Sequence, residues 1–236
     1  MTIPPSHPRY QSLQTRQRLE EGVALGITSL GGLIAQGRGE AFDYLLGEQT
    51  HPFAHQAIEA ASSMLRSAKH PVISVNGNTA VLVPEEIVTL SQLLHCSIEV
   101  NLFHESKDRE RKIQQHLMKL GGKNVLLPGD AIVPNLDSNR KFVNEEGIYK
   151  ADVVFVPLED GDRTEALIKM GKKVITVDLN PMSRTARTAT VTIVDNITRA
   201  IPLLIDSLKN LKSTNQEKSF KNEEVLKEAE VLLRKH

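Results

Sequence analysis

Three carboxylates lie within four residues directly after an apolar segment, at Glu159, Asp160 and Asp162. Carboxylates this close repel one another unless a cation lies among them, so they could hold Mg²⁺ or the ammonium group of a substrate. A solvated loop in which Asp162 caps the next helix is nearly as good an explanation. With the adjacent Arg163, these acids are the candidate catalytic residues.

A second candidate site follows residues 174–177, which have the β-branched composition of a buried strand. Asp178 lies at the end of this strand, and an acid in such a position commonly accepts hydrogen bonds from ribose hydroxyls. The structural alternative is an Asx turn ahead of Pro181. We favour a nucleotide site, because Arg184 and Arg187 follow within two helical turns and could contact phosphates.

Two arginines nearer the N terminus could also meet an anion. Arg16 falls within the apolar stripe of a predicted helix over residues 10–26, where it should reach solvent, pair with a buried carboxylate or bind an anionic ligand. Arg38 lies among four glycines ahead of a helix predicted to begin at Ala41. That glycine-rich segment could bind phosphate through its backbone N–H groups, although a plain turn is an equal alternative. Its spacing matches neither a P-loop nor a dinucleotide fingerprint.

Composition excludes several other functions. Lys+Arg and Asp+Glu both total 29 and tryptophan is absent, which disfavours nucleic acid and membrane surfaces as partners. No apolar run approaches a membrane span, and no secretory signal precedes residue 10. The single Cys96 predicts an inert buried thiol in a reducing, cytoplasmic setting. His51 and His55 predict a surface pair rather than a zinc site, and we assign no metal-ligand set.

The elements that must position these residues form a regular alternation of helices with six short apolar strands. The pattern predicts an α/β fold with a mostly parallel six-stranded sheet and helices on both faces. We expect one domain over residues 1–212, with residues 1–52 contributing to its site. A charged helical tail over residues 213–236 should pack on a partner subunit or lie on the surface. The predicted strands are residues 72–75, 98–102, 125–127, 153–156, 174–177 and 191–194.

Polar residues follow most of these strands, and parallel strands bring their carboxyl ends to one edge of the sheet. Turn chemistry alone explains each of these positions taken singly. Their concentration nevertheless predicts a ligand site at this edge. They are Asn76, Asn78, Asn101, Glu159, Asp160, Asp162, Arg163, Asp178, Asn180, Asp195 and Asn196.

Six ordered segments carry a family resemblance. They are residues 6–10 (SHPRY), 37–44 (GRGEAFDY), 74–78 (SVNGN), 157–167 (PLEDGDRTEAL), 178–181 (DLNP) and 193–196 (IVDN). The chain resembles the archaeal phosphopantothenate synthetases, also called 4-phosphopantoate–β-alanine ligases. The resemblance extends over residues 5–205 and is not found in the tail after Ser213. At Gln36, where members often have histidine, we assign no proton-transfer role.

The resemblance implies a Rossmann-like homodimer that acts in coenzyme A biosynthesis. ATP, 4-phosphopantoate and β-alanine would give 4′-phosphopantothenate, AMP and pyrophosphate. ATP would be a co-substrate, with Mg²⁺ expected beside it. The family's ATP contacts, carried onto matching positions, are Arg16, Arg38, Asp178, Leu179, Asn180, Arg184, Thr185, Asn196 and Ile197.

The remaining roles come from strand-end position rather than from the family. We expect Asn76, Asn101 and Arg163 to orient phosphopantoate, and one of the acids at 159, 160 and 162 to hold Mg²⁺ or the ammonium group. The arginines would offset the charge of two highly anionic substrates. Two other classes remain open on residues alone: an NAD-binding Rossmann-like enzyme and a non-catalytic nucleotide-binding regulator.

Overall fold

The computed structural model describes residues 4–158, 160–210 and 220–235. Its α-helices, in chain order, are α1 Tyr10–Ala24, α2 Leu30–Leu45, α3 Pro52–Ser67, α4 Gly77–Leu82, α5 Pro84–Leu94, α6 Lys107–Lys119, α7 Gly161–Lys169, α8 Arg184–Thr188, α9 Ile197–Asn210 and α10 Asn222–Leu233. Its strands are β1 Pro71–Val75, β2 Ser97–Val100, β3 Val125–Leu126, β4 Ala131–Ile132, β5 Phe142–Val143, β6 Val153–Val156, β7 Lys173–Val177 and β8 Val191–Ile193. All six strands and the long helices predicted after residue 53 are present.

The main sheet has six strands in the order β3-β2-β1-β6-β7-β8. Every pairing in it is parallel, so the predicted α/β fold is confirmed, and the sheet is parallel throughout rather than mostly so. The chain builds outward from β1 to β3, returns to the centre and builds outward from β6 to β8. The strand order therefore reverses between β1 and β6, and ligands of open α/β sheets bind at such a reversal.

Alternate strand residues enter cores on the two faces of the sheet, because successive side chains of a strand point to opposite sides. Ile73 and Phe155 pack in the larger core with helices that include α3, α6 and α9. Val72 and Val154 pack in the smaller core with α7 and with the segment before β6. Helices therefore cover both faces, as predicted.

The prediction of a glycine-rich loop opening a helix at Ala41 was wrong. Residues from Leu30 onward already form α2, and the Ser29 hydroxyl caps it by accepting from the Gly32 amide at 3.2 Å. Packing requires one of these glycines, Gly32, because a Cβ there would overlap the side chains of Asn78 and Thr28, which are hydrogen-bonded to each other. Tertiary packing thus decides the helix against the low helix propensity of glycine.

The unpatterned segment before β6 contains a small antiparallel hairpin of β4 and β5. A 3₁₀ turn at Asn139–Lys141 precedes β5, and a π-type turn at Glu145–Tyr149 follows it. The short helices α4, which follows β1 closely, and α8, which follows the loop after β7, were not predicted either. Elements of two to six residues are too short to leave a periodic signal.

The C-terminal helix packs on the core of its own chain. The α10 side chains of Val225, Leu226 and Ala229 are buried in the main core. Its first residue, Asn222, accepts a hydrogen bond from the Thr192 amide at 2.7 Å and donates to the Ala186 carbonyl at 2.8 Å. The tail helix is therefore part of the α/β unit. Residues 213–219 and 236 of the predicted tail lie outside the described residues.

Cys96 is buried as predicted, and burial raises the pKa of its thiol to about 12. Of the two histidines predicted to lie at the surface, His55 is exposed. His51 is half-buried, with its Nε2 2.6 Å from the Leu46 carbonyl oxygen. In the part of the chain that the structure describes, no helix is long and apolar enough to cross a membrane. Those same residues contain no group of three or more His, Cys, Asp or Glu side chains placed to hold a metal ion.

Candidate active site

The loop after β7 is organised around Asp178. One carboxylate oxygen accepts a hydrogen bond from the Asn180 amide at 2.9 Å, which is the Asx turn weighed above, and the other accepts from the Ser183 hydroxyl. Partial burial raises the pKa of Asp178, while the bonds from Ser183 and Asn180 lower it. The Asn180 side chain in turn accepts from the Met182 amide at 3.0 Å. The turn therefore presents its polar atoms at the sheet edge in a fixed geometry.

Helix α2 contacts the exits of both β7 and β8. A Cβ on Gly39 would lie 3.6 Å from the Leu179 side chain, so the helix backbone approaches the Asp178 turn closely. Four residues further on, Asp43 accepts from the Asn196 amide group at 2.7 Å and pairs with Arg199 at 2.5 Å. Asn196 and the adjoining Ile197 are therefore held beside the same helix that borders the Asp178 turn.

Arg16 lies on the outer side of α1 and not in a buried stripe. Its side chain is 49% exposed and makes two hydrogen bonds to Glu40, of 2.9 Å from Nε and 2.7 Å from Nη2. Arg9 binds the same carboxylate at 2.8 Å. Of the alternatives left open above, pairing with a carboxylate is the one observed, although at the surface. Because Glu40 lies on α2, the pairing brings Arg16 to the helix that borders the nucleotide candidates.

Arg38 is exposed on α2, and the structure gives it no hydrogen bond or ion pair with any described residue. Its position is about 100° around the helix from Gly39, so its Cβ points away from the Asp178 turn. Only the length of the arginine side chain could bring its guanidinium back towards that turn. The structure places Arg38 near the other ATP candidates without bringing it into contact with them.

The clustered carboxylates do not converge on one point. Asp162 pairs with Arg184, which also approaches Glu165 at 3.5 Å. Asp160 pairs instead with Arg140 at 2.9 Å. The repulsion expected between these acids is therefore relieved by two arginines of the chain itself. Glu159 lies outside the described residues.

Thr185 follows Arg184 in α8 and is buried. The cap of that short helix is Ser183, whose hydroxyl accepts from the Ala186 amide at 2.9 Å and also binds Asp178. The start of α8 and the Asp178 turn are therefore one connected structure, and both candidate residues of α8 belong to it.

A buried network occupies the exits of β1 and β2. Arg163 is 1% exposed, although it comes from α7 at the edge of the sheet. Its Nη1 donates to the Asn101 side chain at 2.6 Å, and its Nη2 donates to the Ser74 hydroxyl at 3.1 Å. Asn101 also donates to the Phe142 carbonyl at 3.0 Å. Two of the predicted substrate residues thus meet, and they join β1, β2, α7 and the β4–β5 hairpin.

Glu99 lies beneath this network and is fully buried. Its two oxygens accept from the backbone amides of Asn144 at 2.9 Å and Ile148 at 2.6 Å. Burial raises the pKa of Glu99 to about 7, while those two hydrogen bonds and the charge of Arg163 lower it. Gly147 is required here, because a Cβ at that position would overlap the carboxylate. Glu99 therefore fixes the turn that precedes β6.

Asn76 has its hydrogen-bonding groups engaged by the protein. Its side-chain oxygen caps α4 by accepting from the Thr79 amide at 3.0 Å, and its amide group donates to the Leu158 carbonyl at 3.1 Å. It links the exits of β1 and β6 at the reversal of strand order. A binding role for Asn76 would require a ligand to share or replace these bonds.

Sequence reasoning missed three buried charged residues of the site. Glu99 carried a usable signal, since an acid inside an apolar strand demands a partner. Arg140 lies in the unpatterned segment and Asp43 in the segment read as an ordinary helix, and neither had such a signal. Their roles depend on partners that are distant in the sequence, namely Asp160 for Arg140 and Arg199 for Asp43.

Known proteins resemble this chain over most of its length. Residues 53–236 match the model of the phosphopantothenate/pantothenate synthetase family, so the match includes the tail that the resemblance did not reach. A relative from Thermococcus kodakarensis is 50% identical over 223 residues, which cover 94% of this chain and 85% of the relative. One from Methanosarcina mazei is 47% identical over 240 residues, covering 99% and 95%. One from Thermococcus onnurineus is 52% identical over 212 residues, covering 89% and 81%. Each is named 4-phosphopantoate–β-alanine ligase.

Proposed function

The chain belongs to the phosphopantothenate/pantothenate synthetase family, and from this premise we propose that it is a 4-phosphopantoate–β-alanine ligase of coenzyme A biosynthesis. The observation that carries the proposal is the 47–52% identity to ligases of that name over most of the chain. None of these relatives is named as an NAD enzyme or as a regulator, the two alternatives that the residues alone left open.

The two substrates fit different parts of the sheet edge. We assign ATP to the exits of β7 and β8, where α2 and the Asp178 turn bring most of the carried-over contacts together. We assign 4-phosphopantoate to the exits of β1 and β2, around Asn101 and Arg163. The strand-order reversal lies between the two positions, so the carboxylate of one substrate and the α-phosphate of the other would meet there.

The chemistry needs positioning and charge more than a nucleophile from the protein. The carboxylate of phosphopantoate would attack the α-phosphate of ATP, forming an acyl-adenylate and releasing pyrophosphate. The amine of β-alanine would then attack the acyl carbon, lose a proton and release AMP. Arg16, Arg38 and Arg184 would offset the charge on the phosphates through charge-assisted hydrogen bonds.

The described donor set does not favour a Mg²⁺ ion held by protein carboxylates. Asp160 and Asp162 each face an arginine, and Mg²⁺ is commonly bound through substrate phosphates with few protein ligands. We therefore expect Mg²⁺ to arrive with ATP, and we derive no step from a protein-bound metal. Asp160 and Asp162 instead orient Arg140 and Arg184 towards the substrates.

We also propose that the enzyme is a cytoplasmic homodimer that uses α2 as its interface. Leu30, Ile34 and Tyr44 are 70%, 72% and 70% exposed on one side of this helix, and such patches mark association surfaces. The open space beside Gly37, between these large residues, lets a second copy of the helix approach closely about a two-fold axis. Ile34→Glu should convert a dimer into a folded monomer in sedimentation; a monomeric wild type would contradict the proposal.

The catalytic proposal is tested by incubating the protein with ATP, Mg²⁺, β-alanine and 4-phosphopantoate. AMP and 4′-phosphopantothenate should form in equal amounts. ADP as the product would contradict the adenylate mechanism, and equal turnover of unphosphorylated pantoate would contradict the substrate assignment. Asp178→Asn should raise the KM for ATP while leaving the KM for phosphopantoate unchanged, because only the ATP side contains that turn.

A further inference from the structure

The first turn of α6 contains a buried carboxylate that the mechanism above does not use. Glu110 is 1% exposed, and neither of its oxygens accepts a hydrogen bond from any described residue. Its ion pair with Lys107 spans 3.5 Å, and that lysine is 62% exposed to solvent. Buried polar atoms without hydrogen-bond partners are uncommon in folded proteins and require an explanation.

The neighbouring arginine is also incompletely bonded. The Nε atom of Arg109 is buried and has no hydrogen-bond partner among the described residues, while its Nη2 makes a long bond of 3.4 Å to the His104 carbonyl. Burial lowers the pKa of Arg109, and the nearby Glu110 charge acts in the opposite direction. Two consecutive residues of one helical turn therefore carry opposite charges, and each has a buried polar atom without a hydrogen-bond partner among the described residues.

Helical geometry places this pair at the ligand edge of the sheet. Glu110 shares the buried side of α6 with Ile113 and Leu117, and it is the member closest to the exit of β2. Arg109 lies two turns before His116, whose ring interacts with the Ala80 backbone, so Arg109 is on the side of α6 that faces α4. Because α4 begins directly after β1, the pair lies where the exits of β1 and β2 meet.

The two opposite charges match those of a short zwitterion. We propose that the first turn of α6 binds β-alanine, with Glu110 accepting hydrogen bonds from its ammonium group and Arg109 donating from Nε to its carboxylate. This inference rests on the proposed ligase function and deepens it. The position agrees with that function, since Asn76 and Asn101 follow the same two strands and the amine must reach the acyl group held there.

The central test is the charge-neutral variant Glu110→Gln, assayed against each substrate separately. The KM for β-alanine should rise about 10- to 100-fold, as expected for loss of a buried charge-assisted hydrogen bond, while the KM values for ATP and phosphopantoate stay within about twofold. Asp108→Asn is the matched control, because that carboxylate is 78% exposed and already pairs with Lys112 at 2.7 Å. It should leave all three constants unchanged.

Propionate separates a binding role from a structural one. Propionate has a similar size but lacks the amine, so it should bind the wild type much more weakly than β-alanine does. In Glu110→Gln, the difference in binding between propionate and β-alanine should be smaller. Arg109→Lys should weaken the binding of propionate and of β-alanine to a similar extent. A change in thermal stability of Glu110→Gln with an unaltered KM for β-alanine would overturn the inference. Failure of the wild type to form phosphopantothenate would instead overturn the function on which it rests.

Discussion

The two halves of the sheet edge that we propose as the substrate site hold their arginines in opposite ways. On the half proposed for ATP, here called the ATP side, Arg16 and Arg184 are 49% and 58% exposed and pair with surface carboxylates. On the half proposed for phosphopantoate, here called the phosphopantoate side, Arg140 and Arg163 are 5% and 1% exposed. An exposed guanidinium can exchange its carboxylate for a phosphate at little cost, because surface ion pairs contribute only about 0–1 kcal/mol. A buried one cannot move without breaking its network.

The difference suggests separate tasks for the two sides. Under the proposed assignment, the ATP side would accept a flexible polyphosphate and later release pyrophosphate and AMP, so adaptable cations suit it. The phosphopantoate side would hold one acid in one orientation, which a fixed buried network does at the expense of mobility. Substitutions on the buried side should therefore affect folding as well as catalysis. Substitutions on the exposed side should affect catalysis almost alone.

The largest effect is expected from Arg163→Met. Loss of the guanidinium leaves Asn101 and Ser74 without their donor and leaves the Glu99 charge less compensated. We expect unfolding in urea to show a loss of about 3–5 kcal/mol, together with loss of activity. Arg163→Lys keeps the charge, so its free energy of unfolding should fall less. A fully stable but inactive Arg163→Met variant would remove the distinction between the two sides.

A smaller effect concerns the pH dependence of stability. Glu99 has a folded pKa of about 7, above its ordinary value near 4.5, so between these values the folded state keeps a proton that the unfolded chain releases. The free energy of unfolding should therefore fall as pH rises through this window, by up to about 3 kcal/mol.

The variant Glu99→Gln isolates that contribution. Urea unfolding from pH 4.5 to 8 should show a flatter pH profile than the wild type, even though the variant loses one backbone hydrogen bond. Glu145→Gln, an exposed carboxylate on the adjoining turn, should keep the wild-type profile. Parallel profiles for wild type and Glu99→Gln would show that Glu99 does not titrate there.

The smallest effect compares two arginines of the same short helix. Arg184 and Arg187 are 58% and 60% exposed, but Arg184 lies beside the Asp178 turn whereas Arg187 faces Glu230 of α10 at 3.6 Å. Arg184→Ala should raise the KM for ATP about tenfold with little change in melting temperature. Arg187→Ala should change that KM less than about twofold. Equal effects would place the phosphates elsewhere.

Much of the fold was readable from the chain because its signals are local. Runs such as residues 153–156 and 174–177 are apolar and β-branched whatever lies around them, and long amphipathic helices repeat their pattern over several turns. The parallel sheet and its ligand edge follow from that alternation. The order of motifs such as 157–167 and 178–181 was equally sufficient to indicate the family.

Only the tertiary structure decided what the polar residues do. Asn76 caps a helix, Asp160 and Asp162 face different arginines, and Arg16 pairs at the surface, because each depends on a partner brought close by folding. Glu110 shows the limit most clearly: in the sequence it is one charge among many in a helix of high charge. Its burial without a hydrogen-bond partner is set by the packing of α6 against the sheet, which no local pattern encodes.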